Sequence, residues 1–120
     1  MKRSPEELSE INYREFFLWI IGKRKRFRVK GVSMQPLLQP GEEILIDLNA
    51  YQKATPQVGD LVVAFHPQQT DLEIVKRVAQ VLPDGSVFLI GDNKNYSSDS
   101  RSFGLVSPNN ILGKVTSRFG

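Results

Sequence analysis

From residue 27 onward the chain is divided into short apolar runs by proline, glycine and asparagine. Turn signals lie at Pro40-Gly41, Val58-Gly59-Asp60, Pro83-Asp84-Gly85-Ser86 and Ser107-Pro108-Asn109-Asn110, and the Asp-Gly pair predicts the tightest hairpin. The runs between these signals have the length of strands. We therefore predict a mainly β, antiparallel domain with strands at about 27–32, 43–48, 61–65, 72–82, 87–90 and 111–119.

The first 26 residues follow a different pattern, which predicts a short N-terminal α-helix. Ser4 suits an N-cap, Pro5 suits the first helical position, and the glutamates that follow face the positive end of the helix dipole. We predict a helix from about Pro5 to Ile21. Its apolar end is only six residues long, whereas a bilayer span needs about 20. We divide the chain into an N-terminal helix and basic segment, 1–26, and a β domain, 27–120.

Five positive charges fall within residues 23–28, directly after the predicted helix. The helix could pack its aromatic end on the domain or on a partner, or it could rest on an anionic membrane surface with the basic cluster at the headgroups. Binding of nucleic acid is disfavoured, because no recognised motif surrounds the cluster. Acidic residues before the apolar run and the lack of a small-residue cleavage site argue against a secretory signal. We expect a cytoplasmic protein, with peripheral contact at a membrane as the open alternative.

The composition excludes several classes of functional site. The chain has no cysteine and a single histidine, His66, so it has no disulfide framework, no thiolate nucleophile and no zinc-ligand pattern. We interpret His66 as a surface residue in a loop between two strands rather than as a member of a Ser-His-Asp triad. A net charge of +3 is too small to indicate nucleic acid by itself. We predict no metal and no cofactor.

Ser33 and Lys76 are the two side chains that suggest chemistry. In a strand over 72–82, the period of two places Lys76 on one face with Ile74 and Val78. An apolar setting lowers a lysine pKa, which a general base near neutral pH requires, and a serine hydroxyl needs such a base to become a nucleophile. Taken alone, however, Ser33 could be a turn residue and Lys76 a solvated strand lysine.

Four segments of the sequence resemble, in order, the conserved boxes of the signal peptidase I family of Ser-Lys peptidases. They are Gly31 to Leu38 (GVSMQPLL), Gly59 to Val63 (GDLVV), Glu73 to Val78 (EIVKRV) and Gly91 to Arg101 (GDNKNYSSDSR). The last matches the family pattern GDNxxxSxDSR at every fixed position. The resemblance covers roughly residues 29 to 115, and it implies a signal-peptidase-like antiparallel β domain with serine endopeptidase activity.

The resemblance also implies a role for individual residues. It places Ser33 as the nucleophile and Lys76 as the general base, with Ser97 orienting the lysine amine. Asp99 and Arg101 resemble the buried pair that stiffens the loop carrying Ser97. These last two residues are expected to position other groups rather than to take part in the chemistry.

Further positions follow from the same resemblance. Met34 would lie beside the substrate pocket, and Asp92 and Asn93 would fix their loop by turn-type backbone bonds. Some family members carry a serine oxyanion donor two residues before the nucleophile, where this chain has Gly31. We therefore expect the backbone N–H of Ser33 and a second, unidentified donor to hold the oxyanion.

The substrate is predicted only through resemblance. A compact Ser-Lys peptidase with a short N-terminal helix is most similar to the maturation proteases of nickel-type superoxide dismutase, which are inferred to remove a leader from the enzyme precursor. The expected partner is then a precursor protein, and nickel would belong to the substrate.

Two alternatives stay open: processing of signal peptides at a membrane surface, and a non-catalytic peptide-binding module of the same fold. Self-cleavage, as in related repressors, is disfavoured because the chain has no Ala-Gly or Cys-Gly pair. The sequence leaves the oligomeric state open.

Overall fold

A six-stranded antiparallel sheet forms the body of the protein, in a computed structural model that describes residues 8–119. The order of strands across the sheet is β1-β2-β6-β3-β4-β5. This architecture confirms the predicted mainly β, antiparallel fold with one short helix near the N-terminus. The strands are β1 (Lys25–Arg28), β2 (Glu43–Asp47), β3 (Leu61–Phe65), β4 (Glu73–Val81), β5 (Val87–Ile90) and β6 (Ile111–Arg118).

Five of the six strands lie within one residue of the predicted bounds at each end, and β1 does not. A strand was expected over 27–32, but β1 covers Lys25–Arg28. Pairing with β2 starts as early as Lys25, opposite Ile46. Past the strand end, Gly31 has a φ of +75°, which turns the backbone away from the sheet. The residues after β1 therefore form a loop rather than the second half of a strand.

The helix α1 (Tyr13–Ile20) is shorter than predicted. Ser4 and Pro5, the expected start, lie outside the described residues. Between residues 8 and 12 the chain is not helical: the Ile11 N–H donates to the carbonyl of Arg118 at 2.7 Å, which ties this segment to the end of β6. The observed N-cap is Asn12, whose side chain accepts from the backbone N–H of Glu15. Over residues 8–12, a contact with β6 thus takes the place of the predicted helix.

Buried apolar side chains cover both faces of the sheet, because alternate residues of β3 point to opposite sides. Leu61 and Val63 belong to one cluster, and Val62 and Ala64 to the other. The first cluster is completed by Met34, Leu37 and Leu38 from the loop after β1, and the second by Val106 near the start of β6. Apolar side chains therefore pack against both faces of β3 and β4. This packing holds in position the strand that carries Lys76.

A second helix, α2 (Ser100–Phe103), forms one turn against β5, and short 3-10 helices lie at Lys94–Tyr96 and Pro108–Asn110. The loop from the end of β5 to α2 holds the last of the four boxes. Over residues 8–119, no helix has the length and apolarity to cross a membrane.

Candidate active site

Ser33 lies in the loop between β1 and β2, just before three buried anchors of that loop. Met34, Leu37 and Leu38 are each at most 1% exposed. The loop is also closed on itself, since the Leu38 N–H donates to the carbonyl of Met34 at 2.9 Å. These contacts fix the backbone from which the Ser33 side chain projects.

Lys76 lies in the middle of β4 and points at Ser33. Its side chain is on the same face as that of Val62, its partner in β3, and the residue is only 4% exposed. The Nζ atom lies 2.7 Å from the Oγ of Ser33 and 3.3 Å from the Oγ of Ser97. The structure thus brings the hydroxyl groups of Ser33 and Ser97 to the buried amine of Lys76.

The surroundings of Lys76 favour its neutral form. Burial lowers the lysine pKa, because a charged amine loses its hydration there. The negative charge of Asp99 acts in the opposite direction, and the positive charge of Arg101 adds to the lowering. The net effect is a lysine pKa below its ordinary value, as a general base requires.

Asp99 is buried and saturated with hydrogen bonds. Its oxygens accept from the Oγ of Ser97 at 3.0 Å, from the N–H of Gly91 at 2.9 Å and from the Nη2 of Arg101 at 2.7 Å, and the residue caps α2. Burial alone would raise the pKa of Asp99, but the bonds from Arg101 and the other donors outweigh it and hold the pKa well below its usual range. Both members of this pair were expected to be buried, but only Asp99 is, since the Arg101 side chain is 44% exposed.

Asp92 makes an ion pair instead of the expected turn-type backbone bonds. Both of its oxygens accept from the guanidinium of Arg77, each at 2.9 Å, and both side chains are 4% exposed. Arg77 also donates to the carbonyl of Gly59 at 3.0 Å. Sequence reasoning missed Arg77, although it directly follows Lys76. The pair fastens the loop after β5 to β4 next to the lysine.

Asn93 joins that loop to the loop of Ser33. Its backbone N–H donates to the carbonyl of Ser33 at 2.8 Å, and its side-chain amide donates to the carbonyl of Val32 at 3.0 Å. Gly91 allows this close approach, since a Cβ there would lie 2.0 Å from the Oγ of Ser97 and 2.7 Å from the carbonyl oxygen of Ser33. The two loops therefore form one hydrogen-bonded unit around the lysine amine.

A cleft of about 220 Å³ opens beside Ser33. It lies along the part of β4 that β5 does not cover, since β5 pairs only with the strand from Arg77 onward. Met34, expected beside a substrate pocket, is 1% exposed and belongs to the core cluster rather than to the residues that line the cleft. The lining residues are Phe27, Lys30, Gly31, Ser33, Leu72, Glu73, Ile74, Val75 and Lys76.

Comparison with known proteins identifies the family to which this chain is similar. The sequence matches the family described as signal peptidase, peptidase S26, over residues 16–81 and 78–119. The chain belongs to the signal peptidase family. It is similar to signal peptidase IB of Staphylococcus aureus strain Mu50, with 27% identity over 158 aligned positions that cover 85% of this chain and 82% of the relative. It is also similar to a probable signal peptidase I-1 of Synechocystis, with 30% identity over 131 positions covering 72% and 66% of the two chains.

Membership of the signal peptidase family confirms the resemblance found in the sequence at the level of the family and its serine peptidase activity. The alignment with the staphylococcal relative is longer than this whole chain of 120 residues. That relative therefore carries segments, between the matched parts, that this member of the family lacks.

His66 differs from its predicted surface position. It is 5% exposed, its ring lies 4.5 Å from that of Phe103, and its Nδ1 accepts from the backbone N–H groups of Gln68 and Gln69 at 3.0 Å. The burial was missed because Phe103 lies far along the chain in α2. Within residues 8–119, no group of three or more histidine, aspartate or glutamate side chains is arranged to hold a metal ion.

Proposed function

We propose that this chain is a Ser-Lys endopeptidase in which Ser33 is the nucleophile and Lys76 the general base. The observation that carries the proposal is the 2.7 Å contact between the Nζ of Lys76 and the Oγ of Ser33 within a buried site. The contact suits both directions of proton movement, because an ammonium donates to the serine oxygen and a neutral amine accepts from the hydroxyl. A lowered lysine pKa increases the share of neutral amine at a given pH, which favours the general-base role.

The reaction follows as acyl transfer in two stages. Neutral Lys76 takes the hydroxyl proton while the Oγ of Ser33 attacks the peptide carbonyl, and the backbone N–H of Ser33 helps to hold the oxyanion. The lysine ammonium then gives that proton to the leaving amine as the C–N bond breaks. Next, the neutral lysine takes a proton from water, which attacks the ester. Finally, the proton returns to the Oγ of Ser33 as the acid product leaves.

Ser97 and Asp99 would hold the lysine in position for these steps. The single hydroxyl hydrogen of Ser97 is directed to Asp99, so the lone pairs of its oxygen are left to accept from Lys76. An amine that spends one N–H on Ser97 keeps its lone pair available for the hydroxyl of Ser33. Arg101, which binds both oxygens of Asp99, would keep that carboxylate charged and oriented.

For the substrate, we propose the leader of a precursor protein, bound in extended form along the uncovered part of β4 beside the cleft. The finer assignment is maturation of nickel-type superoxide dismutase, and its support is the sequence resemblance described above. A second candidate is removal of signal peptides, which is favoured by the names of the similar proteins, signal peptidase IB and probable signal peptidase I-1.

The test is to incubate the purified protein with a nickel superoxide dismutase precursor and, separately, with a precursor bearing a signal peptide. New N-termini are identified by mass spectrometry. Ser33→Ala should abolish cleavage, whereas the matched change Ser102→Ala, at an exposed serine of α2, should leave it intact. Cleavage at the leader junction supports the maturation role, and cleavage of the signal-peptide substrate alone supports the second candidate. If Ser33→Ala cleaves like the native chain, or neither substrate is cut, the proposal is wrong.

A further inference from the structure

Two charged side chains of opposite sign line the cleft beside Ser33, and the reaction proposed above uses neither. Lys30 belongs to the loop after β1, and Glu73 is the first residue of β4. They come from the two segments that line the cleft, residues 27–33 and residues 72–76. Lys30 lies three positions before Ser33, and Glu73 lies three positions before Lys76. Both charges are therefore placed where a bound substrate would pass on its way to the dyad.

Both charges are available to a ligand. Neither Lys30 nor Glu73 makes an ion pair or a side-chain hydrogen bond with another residue in the 8–119 range, and they are not paired with each other. By contrast, the nearby Arg26 and Arg28 both form ion pairs with Glu43. The Lys30 side chain is exposed and that of Glu73 is half-buried. A ligand in the cleft could thus contact either charge without breaking a contact within the described chain.

The rest of the cleft offers no competing partner for a charged group. Burial favours the neutral form of Lys76, and Gly31 has no side chain. A charged ligand group that lost its hydration against the apolar lining would have no compensating contact there. It would find a complementary charge only at Lys30 or Glu73. The apolar lining residues are Phe27, Leu72, Ile74 and Val75.

We propose that the cleft selects leaders that carry an acidic and a basic residue at neighbouring positions, with the acid facing Lys30 and the base facing Glu73. A peptide in extended form projects successive side chains to opposite sides, so neighbouring residues can face the two segments of the cleft. Like charges would be repelled at one of the two sites, which adds to the selectivity. The inference rests on the proposed function, because it takes the extended leader as the occupant of the cleft.

The experiment measures peptide binding to the full-length Ser33→Ala protein, so that cleavage does not interfere. The probes are short peptides of alanine and serine that carry the same uncharged dye and differ only at two neighbouring central positions. These positions are Glu-Lys, Gln-Gln, Glu-Glu or Lys-Lys, and binding is followed by fluorescence anisotropy. The Glu-Lys peptide should bind about fivefold more tightly than the Gln-Gln peptide, the order expected for contacts between partly exposed charges. It should also bind more tightly than both like-charged peptides, and added salt should reduce its advantage.

Charge reversal at each site should switch the preferred peptide rather than abolish binding. In the Ser33→Ala background, Lys30→Glu should make Lys-Lys the tightest of the four, and Glu73→Lys should make Glu-Glu the tightest. Lys53→Glu and Glu10→Lys are matched controls, because they make the same changes of charge at exposed residues that do not line the cleft. Both controls should keep the preference for Glu-Lys. A switch of preference cannot result from misfolding, and thermal melting checks each variant.

Three results would overturn the inference: no binding of any peptide, equal binding of all four, or the same change of preference in Lys30→Glu as in Lys53→Glu. The third result would mean that net charge alone decides. Cleavage by the native chain is measured separately with the precursor substrates. Cleavage that depends on Ser33 but shows no charge preference in the binding assay would refute the inference and leave the proposed function standing. The predicted preference without any cleavage would support the inference and refute the peptidase chemistry.

Discussion

Two arginine–carboxylate pairs lie next to Lys76, and they differ in how far the arginine is exposed. In the pair of Arg77 and Asp92 both side chains are 4% exposed. In the pair of Arg101 and Asp99 the carboxylate is 1% exposed and the arginine 44%. The first pair also binds a backbone carbonyl, at Gly59, whereas the carboxylate of the second accepts from Ser97, a neighbour of the lysine amine.

We infer from this difference that the two ion pairs have different roles. A fully buried pair holds two segments together, and losing one partner strands a charge in the interior. Changing a pair whose arginine is exposed costs less in the free energy of unfolding. Its charges instead shift the pKa of the nearby lysine amine. We therefore expect the pair of Arg77 and Asp92 to determine stability, and the pair of Arg101 and Asp99 to tune the lysine.

The largest effect should come from changing the amine that the second pair serves. Lys76→Arg keeps a positive charge but replaces a base that can lose its proton with a guanidinium that cannot. Peptidase activity should fall by about 10⁴-fold, as when a member of a catalytic triad is removed. The rate of cleavage and the melting temperature are measured together. Activity close to that of the native chain would show that Lys76 is not the base.

Asp92→Asn should have the next largest effect, on stability. It removes the carboxylate charge of Asp92 from the buried ion pair with Arg77, and breaking such a pair costs about 3–5 kcal/mol in the free energy of unfolding. Denaturant unfolding measures the loss, with Asp71→Asn, at an exposed aspartate, as the control. A loss no greater than that of the control would mean that the two pairs do not differ as we describe.

Gly91 joins the two pairs, because its N–H donates to Asp99 and its neighbour is Asp92. In Gly91→Ala the new Cβ would meet the Oγ of Ser97 at 2.0 Å, so the lysine contact must shift. We expect kcat/KM to fall roughly 10²-fold, the order caused by a displacement of about 1 Å. Gly41→Ala is the control, since its φ of +85° brings backbone strain with no neighbour within 4 Å. Equal activity in the two variants would argue against a tightly fitted loop.

Arg101→Gln should have the smallest effect and change the pH profile. The positive charge of Arg101 lowers the pKa of Lys76, so its removal should raise that pKa. Because the neutral lysine is the active form, kcat/KM rises with pH through the lysine pKa, and the rise should move to higher pH in the variant. The profile is compared with that of Lys53→Gln. A rise at unchanged or lower pH would contradict the role given to the second pair.

Much of this arrangement is visible in the sequence, and the rest depends on contacts between distant segments. The period of two along β4 places Lys76 on an apolar face, and the turn signals locate most strands. The prediction of helix over residues 8–12 was wrong, because this segment bonds to the end of β6, a contact between parts of the chain that are distant in sequence. The partnership of Arg77 with Asp92 was missed for the same kind of reason, since only the pairing of β4 with β5 brings them together.

NMR titration of the lysine side chains measures whether Lys76 has a lowered pKa beside Ser33. Protein labelled with ¹³C at the lysine Cε is titrated with pH, and the signal missing from the Lys76→Arg spectrum is assigned to Lys76. We predict that this signal titrates below the ordinary lysine value of about 10.4, while exposed lysines titrate near it. A Lys76 signal that titrates with the exposed lysines, or above them, would show that the pKa of Lys76 is not lowered.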